Sequence, residues 1–263
     1  MKPVALITGG ASGLGWALVQ QYRQRGYDLV LVDVNGELLA QREGELGDKT
    51  ALCITADLTD SDALARLVEQ VRARFGRLDV LINNAGITQR SLASQTSPAV
   101  YRKVMAVDWQ APLELALLCL PLLKASQGSL INIGSMAGWM PVLGRSGYCA
   151  AKGALAQTFE VMRCELASDN VHVLMVYPSF LDTPIEQNAL GGDGAPARHA
   201  RSTVGKLQGA DSMAAQIADA HGKRKPRLFP DRFSAFASIL YRIWPSLYLR
   251  LMTRRFAVEL EQQ

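Results

Sequence analysis

Short apolar runs recur along the chain, each closed by a glycine, asparagine, serine or proline and each followed by a longer stretch with apolar residues three and four apart. The runs Val4–Ile7, Leu29–Val32, Ala51–Thr55, Leu78–Ile82, the LINIG segment ending before Ser135, Val171–Tyr177 and Arg227–Phe229 read as strands. Their continuous apolar character suits parallel strands covered on both faces. Between them, Leu14, Leu18 and Tyr22 mark a helix that Gly26 stops, and Leu64, Leu67, Val68 and Val71 give the core stripe of a helix over Ser61–Phe75. The longest helical pattern runs from about Pro98 to Lys124 with Pro112 as a bend, and further helices are expected at about Tyr148–Ala167 and Ala210–Ala220. Strand and helix alternation of this kind predicts an α/β fold: one doubly wound, Rossmann-type parallel sheet of about seven strands with helices on both faces. Residues 184–205, rich in Gly, Ala and polar groups, read as a mobile flap.

Composition adds limits. A chain of 263 residues, 49% hydrophobic and 20% charged, can bury one ample core and needs no second domain. Residues 1–221 are expected to form the body of the domain, with 222–263 a basic amphipathic extension of it. Four cysteines without CxxC spacing suggest reduced thiols, and three scattered histidines argue against a metal site. The opening MKPVALITGG leaves no room for a signal peptide before the first strand, and no uninterrupted apolar run approaches the ~20 residues of a spanning helix, so a cytoplasmic protein is expected. The net charge of +4 conceals nine Lys and Arg against one acid between Gly222 and Arg255, a local +8. No nucleic-acid partner is expected.

Two stretches carry candidate chemistry. Thr8-Gly9-Gly10-Ala11-Ser12-Gly13-Leu14-Gly15 directly follows the first strand, where glycines permit a tight turn and close backbone approach to a pyrophosphate facing a helix N-terminus. Asp33, closing the second strand, can accept both hydroxyls of an adenosine ribose and would repel a 2′-phosphate, which favours NAD over NADP. The second stretch, Ser135 to Lys152, holds a hydroxyl at a strand's carboxyl end and the pair Tyr148 and Lys152 one helical turn apart. An ammonium beside a phenol favours the phenolate, so the tyrosine can exchange protons nearer neutrality than a free phenol.

Together with Asn83-Asn84-Ala85-Gly86 after the fourth strand, these ordered motifs resemble the short-chain dehydrogenase/reductase family from about Val4 to about Pro184. The resemblance implies an NAD-dependent alcohol dehydrogenase or ketone reductase with Tyr148 as general acid/base, Lys152 holding the nicotinamide ribose and Ser135 bonding the reacting oxygen. It implies cofactor contacts at Gly9, Ser12, Gly13, Leu14, Gly15 and Asp33, at Asp57 and Leu58 beside the adenine, at Asn83, Ala85 and Gly86, at Pro178, and at Thr183 against the carboxamide. Asn83 is expected to be the cofactor contact of its pair and Asn84 the structural residue. Two residues depart from the pattern. Asp108 stands where relatives carry an asparagine whose carbonyl holds a relay water behind the lysine, and Ser179 follows Pro178 where they have glycine. These departures motivate a rival reading, a nucleotide-binding regulator or scaffold without turnover.

The residues after Ser135, Trp139 to Leu143, with Ile185 and Leu190 on the flap, point to an apolar substrate, although Arg145 could grip a carboxylate. The helices Pro98–Lys124 and Tyr148–Ala167 are apolar on more than one face, and relatives pair such helices into dimers and tetramers. In the tail, Phe233, Phe236, Ile239, Leu240, Ile243 and Trp244 form one helical stripe, continued after Pro245 by Leu247, Tyr248, Leu251 and Met252. Among arginines, that stripe could dock on an anionic membrane, cover the substrate pocket or pack on a neighbouring subunit.

Overall fold

The computed structural model of the chain describes residues 1–47, 51–179, 181–182, 185, 188–197 and 207–257. Its sheet has seven parallel strands: β1 (Val4–Thr8), β2 (Asp28–Asp33), β3 (Ala51–Thr55), β4 (Val80–Asn83), β5 (Ser129–Ile133), β6 (His172–Val176) and, last in the chain, β9 (Arg227–Leu228). They lie in the order β3-β2-β1-β4-β5-β6-β9, so the chain steps outward from β1 in one direction and then, after β3, in the other. β1 and β4, paired as Ala5 with Val80 through Ile7 with Ile82, flank the point of reversal, where diverging loops open a crevice at the strands' carboxyl ends. A pair that periodicity did not reveal, β7 (Leu181–Asp182) with β8 (Gln208–Gly209), stands apart from this sheet. Each is only two residues long, too short to carry a pattern.

Helices cover both faces because both sets of alternating strand side chains are apolar. On one face α3 (Ser61–Phe75), α5 (Ala111–Ser126) and α6 (Ser146–Glu165) bury Leu64, Leu67, Leu115, Leu155 and Phe159 against Leu6, Val30 and Leu130. On the other, α1 (Gly13–Gln24), α2 (Gly36–Leu46) and α7 (Ala210–Gly222) bury Leu18, Tyr22, Leu39 and Ile217 against Ile7, Leu31 and Ile131. Each fully buried Leu or Phe contributes about 1.5–3 kcal/mol by removal from water.

The long helical pattern after residue 98 is not one helix. It divides into α4 (Pro98–Met105), a π turn over Ala106–Gln110 and α5, with the Ala111 N–H reaching back to the Ala106 carbonyl. Pro112 takes one of the first positions of α5, where its missing N–H costs nothing, so the proline starts a helix instead of bending one. Pro98–Ser126 together makes 29 helical residues, long and apolar enough by length and composition to cross a membrane, which a search for uninterrupted apolar runs overlooks. In this fold Leu115, Cys119, Leu122 and Leu123 of that stretch are core.

The basic tail is two helices, α8 (Arg232–Ile243) and α9 (Pro245–Arg255), hinged at Trp244 and packed together with the Tyr241 and Tyr248 rings edge to face, their centroids 5.2 Å apart. Contacts among the described residues hold this hairpin over the crevice. Tyr248 donates to the Pro141 carbonyl at 3.0 Å, Ser179 Oγ bonds Asp231 at 3.0 Å, and the Arg242 guanidinium lies 4.3 Å from the Trp139 ring centroid. Ser179 therefore has a hydrogen bond of its own to make, and it is not among the residues with positive φ.

Candidate active site

The crevice is a cleft of about 1130 Å³ that runs from the glycine loop, across the carboxyl ends of β1, β2, β4, β5 and β6, to the underside of the hairpin. Its first section is the loop between β1 and α1. Gly13 takes φ +50°, a left-handed conformation open to glycine at little cost, and a Cβ on Gly15 would meet the Gly9 carbonyl oxygen at 1.9 Å. Ser12 occupies the N-cap of α1, yet its side chain makes no capping bond, leaving the first amides of the helix facing the cleft. Asp33 lines the same section, its carboxylate accepting from Ala11 N and Asn35 N at 3.0 Å each. A helix N-terminus, a glycine turn and a carboxylate at the next strand end fit the pyrophosphate and ribose of a dinucleotide.

Of the other residues expected at the cofactor, Gly9, Leu14, Asp57, Leu58, Ala85, Gly86 and Pro178 line the cleft. Hydrogen bonds from the Thr59 amide and hydroxyl hold the Asp57 carboxyl below the usual carboxylate range. Gly15 lies behind the loop and serves packing. Asn83 is a correction: its side chain is buried on the other side of the strand, donating to Asn132 at 2.9 Å and to the Pro112 carbonyl at 3.4 Å, and it does not reach the cleft. Asn84 lines the cleft instead, its amide anchored on the Thr8 carbonyl at 2.9 Å. The alternation of side chains along β4 decides between the two, and strand phase was the signal that could have assigned them. Thr183 lies outside the described residues, as do residues 184, 186–187 and 198–205 of the expected flap.

Ser135, Tyr148 and Lys152 meet in the central section. Ser135, just past β5, starts a short turn over Met136–Gly138, and its Oγ accepts from Ala137 N at 3.1 Å, so the hydroxyl proton remains to be donated. Tyr148 and Lys152 lie on one face of α6, with the ammonium 5.9 Å from the centre of the phenol ring. Lys152 is buried, donates to the Ile133 carbonyl at 3.1 Å and has a carboxylate oxygen of Asp108 at 3.3 Å. Asp108 sits in the π turn behind the lysine, off the cleft wall, with its other oxygen accepting from Ile87 N at 2.8 Å. Burial pushes its carboxyl above the ordinary range, and the ammonium and the amide oppose that push.

The outer section is apolar: Met136, Met140, Val142, Leu181 and Ile185 on one side, Phe236, Ala237, Leu240, Tyr248, Leu251, Met252 and Phe256 of the hairpin region on the other. Arg145 borders it and bonds Thr88 Oγ1 at 2.8 Å. Sequence spacing identified the hairpin's stripe without its destination. Lys103, which also lines the cleft, carried no signal beyond its place in a helix.

A sequence profile of the short chain dehydrogenase family matches residues 3–192. The chain belongs to that family. Its members are oxidoreductases that work with nicotinamide cofactors. Among relatives, the chain is 32% identical over 262 residues to dehydrogenase/reductase SDR family member 7B of Bos taurus, covering 96% of this chain and 81% of that one. It is 32% identical over 188 residues to 11-beta-hydroxysteroid dehydrogenase A of Sesamum indicum, covering 70% of this chain and 54% of that one. Among solved structures, a short chain dehydrogenase/reductase of Burkholderia phymatum in complex with NAD superposes with a TM-score of 0.82 at 21% identity, over 94% of this chain and 95% of that one. The Burkholderia protein shares the fold of this chain.

Proposed function

We propose that this family member is an NAD(H)-dependent oxidoreductase that interconverts an apolar secondary alcohol and its ketone. The observation that carries the reading is the convergence of Ser135, Tyr148 and Lys152 on one cleft shared with the glycine loop and Asp33. Gly9, Ser12 and Gly13 would hold the pyrophosphate, Asp33 the adenosine ribose and Lys152 the nicotinamide ribose. The bound nicotinamide supplies or accepts the hydride. Tyr148 gives its phenolic proton to a ketone oxygen or takes the proton of an alcohol, and Lys152 stabilises the phenolate that is left. Ser135 donates to the same oxygen and offsets the charge that builds there. The apolar outer section excludes water from the reacting carbon and favours a bulky hydrophobic substrate. The steroid named for the Sesamum relative and the NAD held by the Burkholderia protein of like fold agree with this choice.

The test is NAD reduction over a panel of aliphatic, aromatic and steroidal alcohols, with small keto acids as counter-substrates. Turnover on bulky apolar alcohols that disappears in Tyr148→Phe, with NADH binding intact, is expected. A preference for small anionic keto acids would overturn the substrate class and point to Arg145. Tight NADH binding without turnover on any alcohol would leave a nucleotide-binding protein in place of an enzyme.

A further inference from the structure

The hairpin has two apolar faces, and the cleft uses one. Ala237, Tyr248 and Met252 are buried beneath it, whereas Phe236 is 63% exposed, Ile239 56%, Ile243 76% and Trp244 63%. With Leu249 and Leu251, these make six of the eleven exposed large hydrophobic residues among those described, gathered within sixteen positions. Scattered exposed leucines need no explanation, but a contiguous patch with a tryptophan at the tip of a helical hairpin does.

Charge says what covers it. From Arg232 to Ala257 the sequence has five arginines and no acid. Arg250, Arg254 and Arg255 are exposed along α9, and Asp231, just before the hairpin, is engaged by Ser179. A second copy of the chain, placed face to face on this patch, would bring two acid-free arginine sets together, which repel. An anionic bilayer supplies the missing negative charge and receives aliphatic and aromatic side chains at headgroup depth.

We infer that the α8–α9 hairpin is an interfacial docking element that seats the mouth of the cleft on an anionic lipid bilayer. Phe236, Leu251 and Arg255 belong both to the exposed surface and to the cleft lining, so docking joins the outer section of the cleft to the lipid phase. An apolar substrate dissolved in that phase then reaches Tyr148 without crossing bulk water. This last consequence rests on the function proposed above; the docking itself does not.

The experiment is co-sedimentation of the full chain with phosphatidylserine/phosphatidylcholine vesicles and with phosphatidylcholine vesicles, across a salt series. Retention on the anionic vesicles at low salt, release as salt rises and no retention on the neutral ones are expected. Ile243→Glu with Trp244→Glu should abolish retention, and Arg250→Glu with Arg254→Glu should weaken it by about tenfold or more. NADH affinity and melting temperature should stay as in the parent, since none of these four side chains lines the cleft. The second pair keeps the test valid where the first destabilises the fold. A chain that ignores anionic vesicles, or variants retained as strongly as the parent, would overturn the inference. Loss of a larger oligomer in the Ile243/Trp244 variant, without vesicle binding by the parent, would assign the patch to a second copy. Absent NADH binding or turnover with vesicle retention intact would sink the proposed function and leave the docking standing.

Discussion

Lys152 Nζ stands 3.3 Å from a carboxylate oxygen of Asp108, and the Asp108 side chain has no solvent exposure. The ammonium that should favour the Tyr148 phenolate thus has a counter-charge on its far side. Where Asp108 is ionised, it cancels part of the lysine's field at the phenol. Asp108→Asn removes that cancellation, so the acid limb of the pH profile for alcohol oxidation should move to lower pH, by about half a unit or more. Profiles of kcat/KM against pH for the two proteins check this. Coincident limbs would mean that Asp108 carries no charge at the lysine.

Cofactor choice should follow Asp33. NADH is expected to bind about tenfold or more tightly than NADPH, because the 2′-phosphate would face a carboxylate already fixed by Ala11 N and Asn35 N. Arg42 offers the phosphate little help. It is bonded to the Ala11 carbonyl, paired with Glu45 and stacked 4.6 Å from the Trp16 ring centroid, and it does not line the cleft. Fluorescence titrations of the parent and of Asp33→Ser should show the gap narrowing in the variant; equal affinities in the parent would reject the assignment.

Acid should destabilise the fold through His221. Burial is the main reason its pKa falls from the ordinary 6.5 to about 4, with His172 and nearby arginines adding to the shift. Neutral, it bonds Tyr22 Oη at 2.9 Å and Ser129 Oγ at 3.0 Å. The unfolded chain takes up a proton below pH 6.5 that the folded chain refuses until about pH 4, so this contribution is present above the unfolded value and is lost as pH falls through that window. Between pH 7 and 5 the loss is about 2 kcal/mol. Urea denaturation at the two pH values should show it, and His221→Gln should flatten the difference.

Self-association is expected through α5 and α6. Leu117 is 52% exposed and Val161 55%, and they border a hollow that also includes Leu113, Leu120 and Met162. A matching surface on a second copy would bury this hollow. Light scattering should give a dimer or tetramer for the parent and a monomer for Leu117→Glu with Val161→Glu. A parent that is already monomeric at micromolar concentration would refute it.

Much of this could be read before any coordinates. Continuous apolar runs required a sheet covered on both faces, and Ser61–Phe75 and Ala51–Thr55 stand where their patterns put them. The glycine loop and the spacing of Tyr148 and Lys152 are local features, so sequence position nearly fixes geometry. What needed the fold was long-range. Asn83 closes β4 and Asn84 is the first residue past it, and their side chains leave the chain in different directions, which depends on strand phase and on where the strand ends. The tail's stripe was evident, but which half of it meets the cleft is set by Tyr248 reaching Pro141, 107 residues earlier in the chain.

The π turn over Ala106–Gln110 has a consequence for sequence length. A π turn amounts to one extra residue in an otherwise α-helical path. Deleting a single residue there would let α4 and α5 merge into one regular helix, locally the easier structure. Each residue advances an α-helix by about 100°, but the π turn already absorbs its extra residue, so the side chains of the two flanking helices would keep their relative phase. Val100 and Val104, buried on α4, and Leu115 and Cys119, buried on α5, would then keep their faces, whereas the widened turn that carries Asp108 against Lys152 would be gone. The extra residue therefore serves the contact between Asp108 and Lys152 and not the packing of the two helices.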